Sequence, residues 1–266
     1  MKIKQPGPLI NGSNKIVDIN GPYRDYLMDF EVLKMTKGDI YTNQDSLERV
    51  YLIIQGEIKA QFNDVTEVIH RENFYDFDPS LLHLSQNTPL SIECLKDNTE
   101  IAVFKTINTL LNKSLVRRPA DIKIETRGLG TMNDTGTRIT RTIIDYSIDP
   151  ESNLMIGEDM HYPGKWAGFP SHHHQQPEIY FYKFMPFSES GFGLLKLGDE
   201  GVLLQENDTV LVPPGVDHPQ VAAPGYGMYF IFAIRHLEGN PYITPTFIKE
   251  HLWPAEPGAV IWPDKK

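Results

Sequence analysis

With 266 residues, 40% of them hydrophobic and 23% charged, the chain has an ordinary globular composition and enough length for one or two domains. A net charge of −10, with no basic cluster longer than Arg117-Arg118, argues against a nucleic-acid partner; no apolar run approaches the roughly 20 residues of a membrane helix. The single cysteine, Cys94, excludes an intrachain disulfide and a thiolate metal cluster, and Pro and Gly interrupt the opening residues before a secretory signal could form, so the expected location is cytoplasmic.

Helical periodicity is expected in only two places, residues 106–115 and 246–253. Elsewhere short apolar runs alternate with Gly, Pro, Asn and Asp turns. They predict strands at 30–35, 49–62, 90–95 and 101–106, then at 178–184, 191–197, 209–213 and 227–234. This spacing points to an all-β sandwich or barrel. The two halves are loosely alike: Glu48, a strand, Pro79 and His83 in the first correspond to Glu178, a strand, Pro213 and His218 in the second. A duplicated barrel is the expectation, with an N-terminal domain over 1–115, a C-terminal domain over 116–266 and the join within 110–128. Aligning Glu48 with Glu178 puts Thr42 and Gln44 where His172 and His174 stand, so the first barrel is expected to be a scaffold without metal.

The chemistry concentrates between His161 and His236, a span that also holds His172, His173, His174 and His218. On an extended chain His172 and His174 share a face and His173 points away. Glu178 enters the next strand, and the turn Pro213-Pro214-Gly215 delivers His218. Two histidines, a carboxylate and a third histidine make a divalent metal site with room for water or substrate; these donors suit Zn, Mn, Fe, Ni or Co. His161, His173 and His236 are expected to be packing or loop histidines.

Pro213, Gly215 and His218 resemble the second cupin motif, and His172, His174 and Glu178 the first, although the flanking glycines of the first fall on Trp166 and Met185. Four longer stretches, 30–41, 122–133, 162–174 and 211–234, resemble the 5-deoxy-glucuronate isomerase family of inositol catabolism, related to the 5-dehydro-4-deoxy-glucuronate isomerases of pectin breakdown. In one respect the chain departs from that pattern: only Gln175, Gln176 and Pro177 separate the paired histidines from Glu178, where the family carries a longer acidic insertion. The resemblance implies a bicupin of two jelly-roll barrels with the C-terminal one active. It implies zinc, foremost among the divalent metals, held by His172, His174, Glu178 and His218, and a homo-oligomer is compatible with it. It also implies conversion of 5-deoxy-glucuronate to 5-dehydro-2-deoxy-gluconate, an aldose–ketose isomerisation. That reaction needs a base to move a proton between adjacent carbons, and Glu178, Tyr182, Lys183 and His236 are candidates. It also needs a cation for the substrate carboxylate, for which Arg141 and Arg235 are candidates. The alternatives are another deoxy-uronate substrate at the same site, an iron dioxygenase, or a sugar-binding cupin without activity.

Overall fold

The computed structural model describes residues 1–187 and 189–263. The chain is nearly all β, with helical structure limited to single 3₁₀ turns among the described residues. Two compact units are present: Pro6–Ile122 with Ile143–Met155, and Lys123–Thr142 with Ile156–Lys266 joined by Met1–Gln5. Relative to a cut at 115/116, the first strand thus belongs with the C-terminal unit, and a segment after Thr142 returns to the N-terminal one.

The N-terminal unit is a curled nine-stranded sheet. Its spine is the strand Glu48–Phe62, paired with Leu81–Leu84 and Thr99–Thr106 along its first half and with Val65–Arg71 and Leu90–Cys94 along its second. The bend between halves falls at a register shift after Ile53 and at Gly56, whose φ is +109° and whose added Cβ would lie 2.1 Å from Thr99 Oγ1. Only glycine fits there. Tyr51, Ile53, Leu33, Ile101 and Val103 face one another in a fully buried cluster.

Alternation then places Arg49 on the core face and Glu48 on the other. Arg49 is wholly buried and donates to Asn43 Oδ1 (2.7 Å) and to the carbonyls of Ser85 (3.0 Å) and Thr88 (2.6 Å). The alignment of Glu48 with Glu178 is therefore displaced by one residue, and Glu48 and His83 are not remnants of an interior site. They form a buried pair on the other face, His83 Nε2 to Glu48 Oε1 at 2.7 Å. Ser152 Oγ (2.6 Å), the Asn153 amide (2.9 Å) and Asn108 Nδ2 (2.8 Å) also donate to Glu48. Burial raises the Glu48 carboxyl, but these hydrogen bonds outweigh it and hold the group below its ordinary value.

The same network explains why the helix expected at 106–115 does not form. Asn108 reaches Glu48, and Asn112 Nδ2 contacts His83 Nε2 at 3.0 Å, so the segment runs irregularly to the strand Leu115–Arg117. Asparagine side chains compete well with helical backbone bonding, and here they are recruited by buried partners. The second expected helix reduces to the strand Thr246–Phe247 and the 3₁₀ turns Lys249–His251 and Trp253–Ala255.

The C-terminal unit is a jelly roll. One sheet has seven strands in the order Lys2–Ile3, Thr209–Val212, Glu178–Met185, Gly227–Arg235, Leu154–His161, Arg138–Ile144 and Lys123–Arg127. The facing sheet has Trp166–Ala167, Gln220–Ala222, Phe192–Leu197 and Glu200–Gln205. The sheets meet where a Cβ on Gly193 would lie 2.6 Å from Met228 Sδ, and where Tyr182 bonds Gln220. Along Glu178–Met185 the inward residues are therefore Glu178, Tyr180, Tyr182 and Phe184; Ile179, Phe181 and Lys183 face the opposite way.

Candidate metal centre

Three elements bring the donors together. Glu178 opens its strand, paired to Val212 on one side and Ile234 on the other. His174 follows the two-residue strand His172–His173, which pairs with Thr246–Phe247. His218 follows the turn at Gly215, where φ is +76° and the amide donates to the His174 carbonyl at 2.7 Å. That bond ties the two histidine-bearing segments to each other.

His174 Nε2 lies 3.1 Å and His218 Nε2 3.4 Å from Glu178 Oε2, and the three donor atoms fall within 4.8 Å of one another. All three residues are buried. Each imidazole is held from behind: His174 Nδ1 by the Gln176 carbonyl (2.9 Å) and His218 Nδ1 by the Val216 carbonyl (2.8 Å). A carbonyl only accepts, so Nδ1 donates and a neutral ring presents the lone pair of Nε2. In that tautomer two Nε2 lone pairs face one carboxylate oxygen, an arrangement that a bound cation stabilises. The donor set therefore fits a divalent metal.

His172 stands beside this group. Its ring lies 5.2 Å from that of His218, and its Nδ1 donates to the Pro170 carbonyl at 3.1 Å. Burial, then the neighbouring His218, lowers its pKa to about 4, and burial also lowers that of His218. Burial pulls the Glu178 carboxyl up, but the close contact with His174 and the surrounding histidines outweighs it and holds the group below its ordinary value. Neutral imidazoles around an ionised carboxylate are the forms that ligate metal.

The other sequence candidates divide. Tyr182 shares the inward face with Glu178, fully buried, and donates to Gln220 Oε1 at 2.6 Å. Lys183 does not reach the site: alternation turns it to the other face, where its Nζ contacts Glu206 Oε1 (3.2 Å) and Asn207 Oδ1 (3.0 Å). Arg235 follows the inward Ile234, which sets it on the outer parity, and its guanidinium donates to the His236 carbonyl. Arg141 is likewise on the far face, 2.8 Å from Glu158 Oε1. His236 Nδ1 accepts the Tyr242 amide at 3.0 Å.

Sequence reasoning missed Tyr242. Its ring packs 4.9 Å from His174, and burial followed by the Glu178 charge raises its phenol pKa. It lies in an irregular stretch after the last long strand, and no motif announces it. Tyr180 has its ring 5.9 Å from that of His218.

The KduI/IolB family model matches residues 4–254. The chain belongs to this family. A 5-deoxy-glucuronate isomerase of Geobacillus thermodenitrificans is 25% identical over 224 residues, covering 76% of this chain and 77% of the relative. One from Bacillus subtilis (strain 168) is 22% identical, covering 77% and 79%. Among solved structures, an IolB-like protein from Salmonella typhimurium matches with a TM-score of 0.81 at 20% identity, covering 95% of this chain and 98% of that one. Oxalate decarboxylase from Bacillus subtilis, at 11% identity, matches with a TM-score of 0.63 over 93% of this chain and 78% of its own. The bicupin architecture expected from the sequence is that of these neighbours.

Proposed function

We propose that this protein is a metal-dependent isomerase that interconverts the aldose and ketose forms of a deoxy sugar acid, with 5-deoxy-glucuronate as first substrate and zinc as first metal. The observation that carries the reading is the buried convergence of His174 and His218 on Glu178, in a family whose curated relatives bear that isomerase name. His174, Glu178 and His218 would hold the ion, with His172 as the fourth ligand.

A divalent cation bound there would stabilise negative charge developing on substrate oxygens. The chain's own groups supply the rest. The reaction takes a proton from the carbon beside the carbonyl and returns one to its neighbour, so a group must hold that proton in between. Tyr180 and Tyr242 pack against the donor histidines, and burial keeps both phenols protonated at neutral pH, able to donate to substrate oxygens, while Tyr182 gives its proton to Gln220. Glu178 is the one carboxylate at the centre and the candidate for accepting the proton. Burial of the cluster keeps water from a reactive intermediate.

The test is direct. Chelator-stripped protein is expected to lose conversion of 5-deoxy-glucuronate and to regain it with Zn or Mn. Assaying 5-dehydro-4-deoxy-glucuronate alongside distinguishes the substrate. Unimpaired turnover by the metal-free protein, or by His174→Ala/His218→Ala, would sink the reading.

A further inference from the structure

The inner face of the C-terminal barrel holds a second polar group that the metal centre does not use. Arg138 and Thr140 share one face of the strand Arg138–Ile144, and Asp159 and His161 share one face of Leu154–His161. Both faces are inward, since a Cβ on Gly157, of the same parity as Asp159, would lie 2.2 Å from the inward Phe232 ring. The Arg138 guanidinium is aimed by two bonds, Nε to Asp159 Oδ2 at 3.3 Å and Nη1 to the Gly136 carbonyl at 3.1 Å. Those bonds leave Nη2 for another acceptor.

Two neighbours lack hydrogen-bond partners among the described residues: Asp159 Oδ1 and Thr140 Oγ1, in side chains 6% and 1% exposed. Buried polar atoms left this way call for a partner from outside the chain. The group connects to the metal donors through a run of ring contacts: His161 to Phe230 at 5.2 Å, Phe230 to Tyr180 at 5.0 Å, and Tyr180 to His218 at 5.9 Å. Gly136, which holds Arg138, also lines a cavity of about 260 Å³ with Trp166, Phe169 and Trp253.

We propose that Arg138, oriented by Asp159, receives the carboxylate of the sugar acid, with Thr140 and the free oxygen of Asp159 bonding its hydroxyl groups. The assignment rests on the isomerase reading above. In such a substrate the carboxylate is at the opposite end of the carbon chain from the reacting carbonyl, on the order of 6 Å away when extended. A guanidinium on the same inward-facing wall of the barrel as the metal donors, yet separate from them, suits that end of the substrate. Its fork geometry suits a carboxylate better than an ammonium would. Asp159 tolerates the incoming anion because its charge is already engaged by Arg138, and its remaining oxygen accepts from a hydroxyl.

Arg138→Met, Arg138→Lys and Thr140→Val separate the possibilities. Two measurements apply to each: kcat and KM on 5-deoxy-glucuronate and on its neutral counterpart bearing CH₂OH for the carboxylate, and calorimetric binding of the reduced, non-isomerisable acid to metal-loaded and chelator-stripped protein. Arg138→Met is expected to weaken binding of the reduced acid about 10- to 100-fold in both forms. It should raise KM for the acid far more than it lowers kcat, and should raise it more for the acid than for the neutral sugar. Wild-type affinity for the acid in Arg138→Met, or an undiminished preference for acid over neutral sugar, overturns the assignment. Should Arg138→Met fail to fold, Arg138→Lys and Thr140→Val carry the same readout, and unchanged acid binding in both overturns it. If wild-type protein binds the reduced acid through Arg138 yet converts no sugar acid, the subsite stands and the isomerase reading falls.

Discussion

Histidine and tyrosine side chains at the centre behave according to what stands behind them. His174 and His218 are locked in one tautomer by backbone carbonyls two residues away, which commits Nε2 to the interior. His173 lies between His172 and His174 and is not among the converging donors. Replacing His174 or His218 with Ala is expected to abolish metal retention through gel filtration, measured by elemental analysis, whereas His173→Ala should keep it. Equal loss in all three would point to general disruption of the loop rather than to ligation. At this scale the sequence was informative: H-x-H, Glu and the P-x-G-x-x-H turn single out, before any coordinates, the three side chains His174, Glu178 and His218 that the fold brings together. It was silent about Arg138 and Tyr242, because no local pattern distinguishes an arginine or tyrosine aimed at a ligand from one that packs.

Strand parity decides which of the remaining candidates reach the interior. Lys183 and Arg235 sit close in sequence to inward residues and are turned outward by the two-residue repeat of a strand. The shared order of Glu, strand, Pro and His made Glu48 look like a counterpart of Glu178, but a slip of one residue exchanges the two faces of a strand. Glu48 instead anchors a hydrogen-bond network on the far side of its strand, where it accepts from His83, Ser152, Asn108 and the Asn153 amide. Glu48→Gln keeps the shape but cannot serve those donors as a carboxylate does. We expect a loss of about 2 kcal/mol in denaturant unfolding with unchanged metal content. A fall in bound metal without loss of stability would argue instead that Glu48 serves a site.

For the whole chain, proton linkage offers a global readout. Burial, then the charge of Arg138, holds His161 well below the ordinary value of 6.5, and burial with His218 brings His172 to about 4. The folded state therefore binds fewer protons than the unfolded chain once pH drops below 6.5. The stability of metal-free protein should decline from there towards pH 4, by at most about 1.4 kcal/mol per pH unit for each such histidine. Denaturant titrations at several pH values check this, and His161→Phe should flatten the slope. A midpoint constant across that window would mean these imidazoles are not buried as described.

The sequence by itself determined the β class, the duplicated architecture and the family, and it singled out His174, Glu178 and His218 as a group, because turn residues, alternation and short motifs are local signals. Tertiary structure decided the rest. It set which strand face each polar residue occupies, assigned 143–155 to the N-terminal unit, drew the asparagines of 106–115 away from a helix, and gathered Arg138, Thr140 and Asp159 on one inner wall. Each of these depends on pairing register or on partners distant in the chain, and neither is written in any short stretch of residues.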